Sequence, residues 1–258
     1  MRKEISMNII ISAKGLCKSY AINGVQNHVL SQVNLDIYEG DFTIIMGASG
    51  SGKSTLLYVL SGMDRATAGQ VIYNGKDLTK LKEKELTKLR CRDFGFVFQQ
   101  MHLISNLSLF ENVAVSGYLN KSMTANQVNN KTDGLFKKMG LSKIEQHLPS
   151  QSSGGEQQRC AIARGVINSP KLLFADEPTG ALNRINTLEV FDLLSNLNKN
   201  GQSILMVTHD MKAALRATRL LYLADGNIIG DLSLPPYKIE DEKSREKQVN
   251  AWLSSMEW

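Results

Sequence analysis

The chain has 258 residues, 42% apolar and 21% charged, enough to bury a sizeable core in one large α/β domain or a core with a small subdomain, and its composition excludes wholesale disorder. A net charge of +5 permits attraction to acidic lipid headgroups or nucleic acid, but no run of five or six basic residues makes either partner compelling, and the charge is read as support for a membrane-surface location. Cys17, Cys91 and Cys160 are too few and too widely spaced for a disulfide framework or a zinc cluster, and no window approaches the roughly 18 to 20 apolar residues of a spanning helix.

Met7 stands immediately before the first strand-like run, so residues 1–6 read as a dispensable leader. Residues 8–13 and 29–37 are short apolar segments punctuated by Asn23-Gly24 and Glu39-Gly40, the pattern of an antiparallel β layer. Tyr20 is expected in a loop between them, where it could stack on a purine, although a lone aromatic is more often simple packing. Residues 42–46 read as a strand. They lead into Gly47-Ala48-Ser49-Gly50-Ser51-Gly52-Lys53-Ser54-Thr55 and a helix from Lys53 to about Met63. This stretch matches G-x-x-x-x-G-K-[ST] in full: glycines turn backbone N–H groups toward an anion, the helix adds its positive end, Lys53 brings a mobile charge and the Ser54 hydroxyl is a hard ligand suited to Mg²⁺. A chance Gly/Ser turn would not need a strand before it, a helix after it and a lysine at that one offset.

Residues 69–75 read as a strand ending in a turn, and residues 80–92 as a helix with a solvated charged face and Leu86 and Leu89 turned inward. Residues 94–98 form a buried strand delivering Gln99 and Gln100. The more polar stretch 101–150, with helix-like patches at 109–118 and 126–139, reads as a helical insertion. Ser153-Gly154-Gly155-Glu156 leads into a helix over 160–168 and makes a second anion site. Strand 172–175 ends in Asp176-Glu177-Pro178, and strand 203–207 in Thr208-His209-Asp210. Chemical residues at the C-terminal ends of successive strands are expected of a parallel sheet with its ligand at that edge. Near the C-terminus, Val249, Trp252, Leu253 and Met256 recur at i, i+3, i+4 and i+7, an amphipathic helix in 239–257 that either packs on its own core or docks on a partner.

In this order and approximate spacing the loop, Gln99, Ser153-Gly154-Gly155, Asp176-Glu177 and His209 resemble an ABC-type ATPase, from about residue 8 to residue 230. The resemblance implies an α/β P-loop NTPase (RecA-like) core with its antiparallel β layer over 1–98 and 160–230, an inserted helical subdomain over 99–159 and a C-terminal tail over 231–258. It implies that Tyr20 and the loop from Gly47 to Thr55 hold ATP, that Ser54 and Gln99 ligate Mg²⁺ with Asp176 supporting through water, that Glu177 orients or deprotonates the attacking water and that His209 contacts the γ-phosphate. Ser153, Gly154, Gly155 and Glu156 would close over the nucleotide of a second copy. The other implied partner is an integral membrane permease on a separate chain, with no nucleic acid, at the cytoplasmic face of the cell membrane.

Three positions depart from the commonest pattern. Ser152 replaces a leucine and Glu156 a glutamine, changes expected to leave the phosphate-facing atoms of Ser153 and the glycines untouched, and Asn183 replaces an aspartate that the family uses to communicate between paired sites. The rival class is a soluble ABC ATPase acting on DNA or ribosomes, but this chain has neither the long coiled-coil insertion of the first nor the doubled motif set of the second. A P-loop kinase leaves Ser153-Gly154-Gly155 unexplained. Within transporters, residues 46–53, 96–100 and 178–182 resemble the branch of macrolide and lipoprotein exporters and antimicrobial-peptide resistance systems. The tail at 221–230, 234–237 and 245–253 is similar to bacitracin and lantibiotic resistance subunits, which often carry asparagine at the position of Asn183.

Overall fold

The computed structural model describes residues 8–22 and 24–256, so Met7 and Asn23, on which a start site and a turn were expected, lie outside the described residues. In chain order its elements are strands β1 (Ile9–Ile22), β2 (Val25–Tyr38) and β3 (Phe42–Met46), helix α1 (Lys53–Leu60), strands β4 (Ala68–Tyr73) and β5 (Lys76–Asp77), helix α2 (Glu83–Asp93), strand β6 (Phe94–Phe98), and helices α3 (Leu109–Asn120), α4 (Ala125–Lys138) and α5 (Gly154–Val166). Strand β7 (Leu172–Asp176), helix α6 (Arg184–Lys199), strand β8 (Ser203–Val207), helix α7 (Met211–Ala214), strands β9 (Arg219–Ala224) and β10 (Asn227–Ser233) and helix α8 (Glu242–Ser254) complete it. The chain divides into two compact units, residues 1–86 with 201–258, and residues 87–200.

The first unit holds the antiparallel layer, in the order β2-β1-β4-β5. The two apolar segments expected there are parts of strands of 14 residues each, longer than apolar content alone suggested, because polar positions face water on the outer side while Ile11, Leu16, Leu30, Val33 and Ile37 are buried. Beside it, β3 pairs in parallel with both β8 and β9, and β10 runs antiparallel on β9. Every residue of β3 and of β8 is buried, the continuous apolar run of a strand covered on both faces. Ile45 sits opposite Val207, so the loop after β3 and Thr208-His209 after β8 leave the same sheet edge.

The second unit pairs β6 and β7 in parallel, with Phe98 opposite Asp176, which brings Gln99 and Glu177 out side by side. Helix α3 starts at a capping box between Ser108 and Glu111, and α4 at one between Thr124 and Gln127, so both helix starts were encoded locally. Asn112, fully buried, accepts from the Ile104 amide and donates to the carbonyls of Ile104, Leu107 and Ser108, fixing the approach to α3.

Helix α8 packs on its own unit. Val249 and Leu253 are buried, and Gly230 of β10 is crossed so closely that a methyl there would stand 2.8 Å from the Trp252 ring and 2.9 Å from Met256 Sδ. The apolar stripe also conceals a charge: Arg245, 4% exposed, donates to the carbonyls of Pro235 and Ala217. Replacing it with methionine strands both acceptors, at about 2–3 kcal/mol in total. Arg245→Met is therefore expected to lower the melting temperature by roughly 5–10 °C, and a shift under about 2 °C in a thermal melt would show that this guanidinium holds nothing together. Among the described residues no helix is long and apolar enough to cross a membrane.

Candidate functional site

The phosphate-loop residues lie in the first unit, between β3 and α1. Gly47 must be glycine, because a Cβ there would stand 2.1 Å from the Leu223 carbonyl oxygen and 2.8 Å from Ser51 Oγ. Gly52 caps α1 in the left-handed conformation, with no side-chain cap, so the helix opens directly behind the loop. It ends at Leu60, three residues before the expected Met63, where Gly62 turns the chain left-handed. The buried Lys53 Nζ donates to Gly47 O and Ala48 O, both at 2.8 Å, so the ammonium is folded into the loop it serves. Tyr20, expected in a loop, lies on β1, because strand pairing with β2 runs on through Ile22. Its hydroxyl donates to Asp64 Oδ2 at 2.6 Å. Partial burial, and after it the Asp64 carboxylate, push the Tyr20 phenol above its usual range.

In the second unit Asp176 is the last residue of β7, and Glu177 follows it with φ +44°, the left-handed region that costs a side-chain-bearing residue about 1–2 kcal/mol. The Gly180 amide donates to Glu177 O at 3.0 Å and closes the turn. Gln99 lies over that turn, with Nε2 2.8 Å from where a methyl on Gly180 would be. Sequence reasoning overlooked what holds Gln99. Arg164 on α5 donates to the His102 and Met101 carbonyls, both at 2.6 Å, and Gln158 donates to Phe98 O at 3.2 Å, so α5 grips the backbone on both sides of Gln99. The available signal was a glutamine and an arginine flanking the small, apolar Cys160-Ala161-Ile162-Ala163 run, where an outward-facing helix surface gave no reason for either.

The expected helix over 160–168 begins six residues earlier, at Gly154, with Ser153 as its N-cap. Glu156 completes a capping box. Its Oε2 accepts from the Ser153 amide at 2.7 Å and from the Ser153 hydroxyl at 2.8 Å. That corrects the expectation that Glu156 leaves Ser153 untouched: the serine proton points at Glu156, whose carboxyl the Ser153 amide, and then its hydroxyl, hold below the usual range. Gly155 has a packing reason of its own, since a Cβ there would stand 2.5 Å from Asn186 Oδ1. Asn183 caps α6, its Oδ1 accepting from the Asn186 amide at 3.0 Å.

A nucleotide with a divalent cation fits these features. Loop N–H groups, the α1 N-terminus and a buried ammonium make a phosphate cradle in one unit. The Ser54 hydroxyl at the start of α1 is an oxygen donor of the kind a hard cation takes beside phosphate oxygens.

The family model for ABC transporters matches residues 30–180, more than half of the chain. The chain is 38% identical over 249 residues, 96% of its length, to the macrolide export ATP-binding/permease protein MacB of Pasteurella multocida (strain Pm70), and spans 38% of that curated relative's length. The ATP-binding cassette MJ0796, solved as a dimer in a post-hydrolysis state bound to ADP and Pi, superposes with a TM-score of 0.81 at 36% identity, covering 88% of this chain and all of the other. Clostridium perfringens cbiO1, part of the ABC transporter complex cbiONQ, superposes at 0.79 with 26% identity, over 96% of this chain and 97% of its own. With its phosphate loop, its mixed α/β sheets and these matches together, the chain belongs to the ABC transporter family and is an ABC-type, nucleotide-binding P-loop ATPase.

Proposed function

We propose that this chain is the ATP-hydrolysing part of a transporter and works with an integral membrane permease at the cytoplasmic face of the cell membrane, and that it serves resistance to cell-wall-directed peptide antibiotics by export or target release. The observation that carries the hydrolytic part is that Gln99 and Glu177 directly follow Phe98 and Asp176, the paired last residues of β6 and β7, in a chain whose β3–α1 loop is a phosphate cradle. Tyr20 would stack on the adenine, Lys53 and the loop amides would hold the phosphates, Ser54 and Gln99 would ligate Mg²⁺ with Asp176 supporting through water, His209 would contact the γ-phosphate and Glu177 would orient or deprotonate the attacking water. The ion, when bound, neutralises the developing charge on the phosphates.

A second copy supplies Ser153, Gly154, Gly155 and Glu156 to close the site, a mode supported by the dimeric form of the MJ0796 cassette. Pairing brings a second helix N-terminus to the phosphates and excludes water from them. The peptide-resistance reading rests on the tail, and a second reading, macrolide export, is favoured by the similarity to MacB. The two separate in a deletion strain. Inhibitory concentrations of bacitracin or lantibiotics should fall and be restored by the parent chain but not by Glu177→Gln at equal expression. Unchanged peptide sensitivity with lowered macrolide tolerance would transfer the assignment to the second reading.

A further inference from the structure

Behind Tyr20 lies a polar cluster, all of it in the first unit, that the proposed reaction does not use. Lys18 is 8% exposed, and its Nζ donates to Asp64 Oδ1 at 2.7 Å and to Arg65 O at 2.9 Å. The same ammonium stands 4.5 Å from the centroid of the Tyr20 ring. Asp64 is held in turn: its Oδ2 accepts from the Tyr20 hydroxyl and its Oδ1 from the Arg65 amide at 2.7 Å. Asp64 is also tied to the phosphate-loop helix, its amide donating to Tyr58 O of α1 at 3.0 Å. A lysine stem and a tyrosine ring are ordinarily among the freer groups on a strand. Here ring, ammonium and carboxylate are fixed against one another, and the carboxylate's own backbone is fixed to the phosphate-loop helix.

We propose that Asp64 and Lys18 are positioning residues that set the plane and reach of Tyr20, so that recognition of the nucleotide base depends on an ion pair behind the ring as well as on the ring. The inference rests on the reading of Tyr20 as the base-stacking residue. Its physical basis is span. A nucleoside triphosphate must place its base on the ring and its phosphates in the loop at once, and a ring tied to Asp64, itself bonded to α1, holds that distance before the ligand arrives. The ammonium lies over the ring, where the quadrupole attracts it. Partial burial works to raise the Asp64 carboxyl, but hydrogen bonds from Lys18, Tyr20 and the Arg65 amide outweigh it, so the carboxyl titrates below its usual range.

The test uses the full chain and two ligands, ATP and inorganic tripolyphosphate, which shares the phosphates and lacks the base. By calorimetry Tyr20→Ala should weaken ATP on the order of tenfold, the loss of one stacked base, and leave tripolyphosphate within about twofold. Asp64→Ala should weaken ATP by roughly threefold to tenfold with tripolyphosphate again unmoved, and should add nothing in the Tyr20→Ala background, since it acts through the ring. Asp64→Asn, which keeps size and one acceptor, should fall between. Loss of ATP and tripolyphosphate in parallel, or an Asp64→Ala effect that persists without the ring, would reduce Asp64 to a structural role. An Asp64→Ala protein binding ATP as the parent does, beside a Tyr20→Ala protein that does not, would overturn the positioning role and spare the stacking reading. An unchanged ATP-to-tripolyphosphate ratio in Tyr20→Ala would remove both.

Discussion

Glu177→Gln should bind ATP almost as the parent does and hydrolyse it about 10²- to 10⁴-fold more slowly, the range a general base contributes. The amide matches the carboxylate in size and inherits the same left-handed backbone, so the turn closed by Gly180 should survive. What it lacks is an oxygen able to accept the water's proton. With binding intact and release blocked, paired chains should accumulate, and size-exclusion chromatography in ATP and Mg²⁺ should show more dimer than for the parent. A variant that remains monomeric with full ATPase activity would sink both the base role and the closing of one copy over the other.

Lys53→Ala should cost at least tenfold in ATP affinity. A charge-assisted hydrogen bond contributes about 1.5–3 kcal/mol, and this lysine is the buried cation of the loop, already among the backbone oxygens of Gly47 and Ala48. Its removal also leaves those two carbonyls without the donor they now have. Calorimetry giving an affinity within about threefold of the parent, under ~1 kcal/mol, would mean that the phosphates bind elsewhere.

Much of the fold was legible because the signals were local. The continuous apolar runs of β3, β7 and β8 announced buried strands. Leu86 and Leu89 are buried as the helical spacing required. What the sequence hid is side-chain traffic over long separations. Tyr20 and Asp64 are 44 positions apart, and Arg164 reaches back 62 positions to His102. No window of periodicity spans such distances. The capping box at Ser153 was readable in principle, since Glu156 stands three residues on, but the eye for an anion site passed over the local partner that the serine already has. Arg245 was missed for the opposite reason: a charge beside an apolar stripe is normally solvated, and here two carbonyls draw it inside.

The left-handed backbone of Glu177 has a consequence for how this chain can change. Glycine adopts that conformation without penalty, and the proline that follows further restricts any residue with a side chain. A library sorted by heat tolerance would thus promote glycine at position 177 and discard the carboxylate to which we assign the attacking water, so under that proposal robustness and turnover pull in opposite directions at this position.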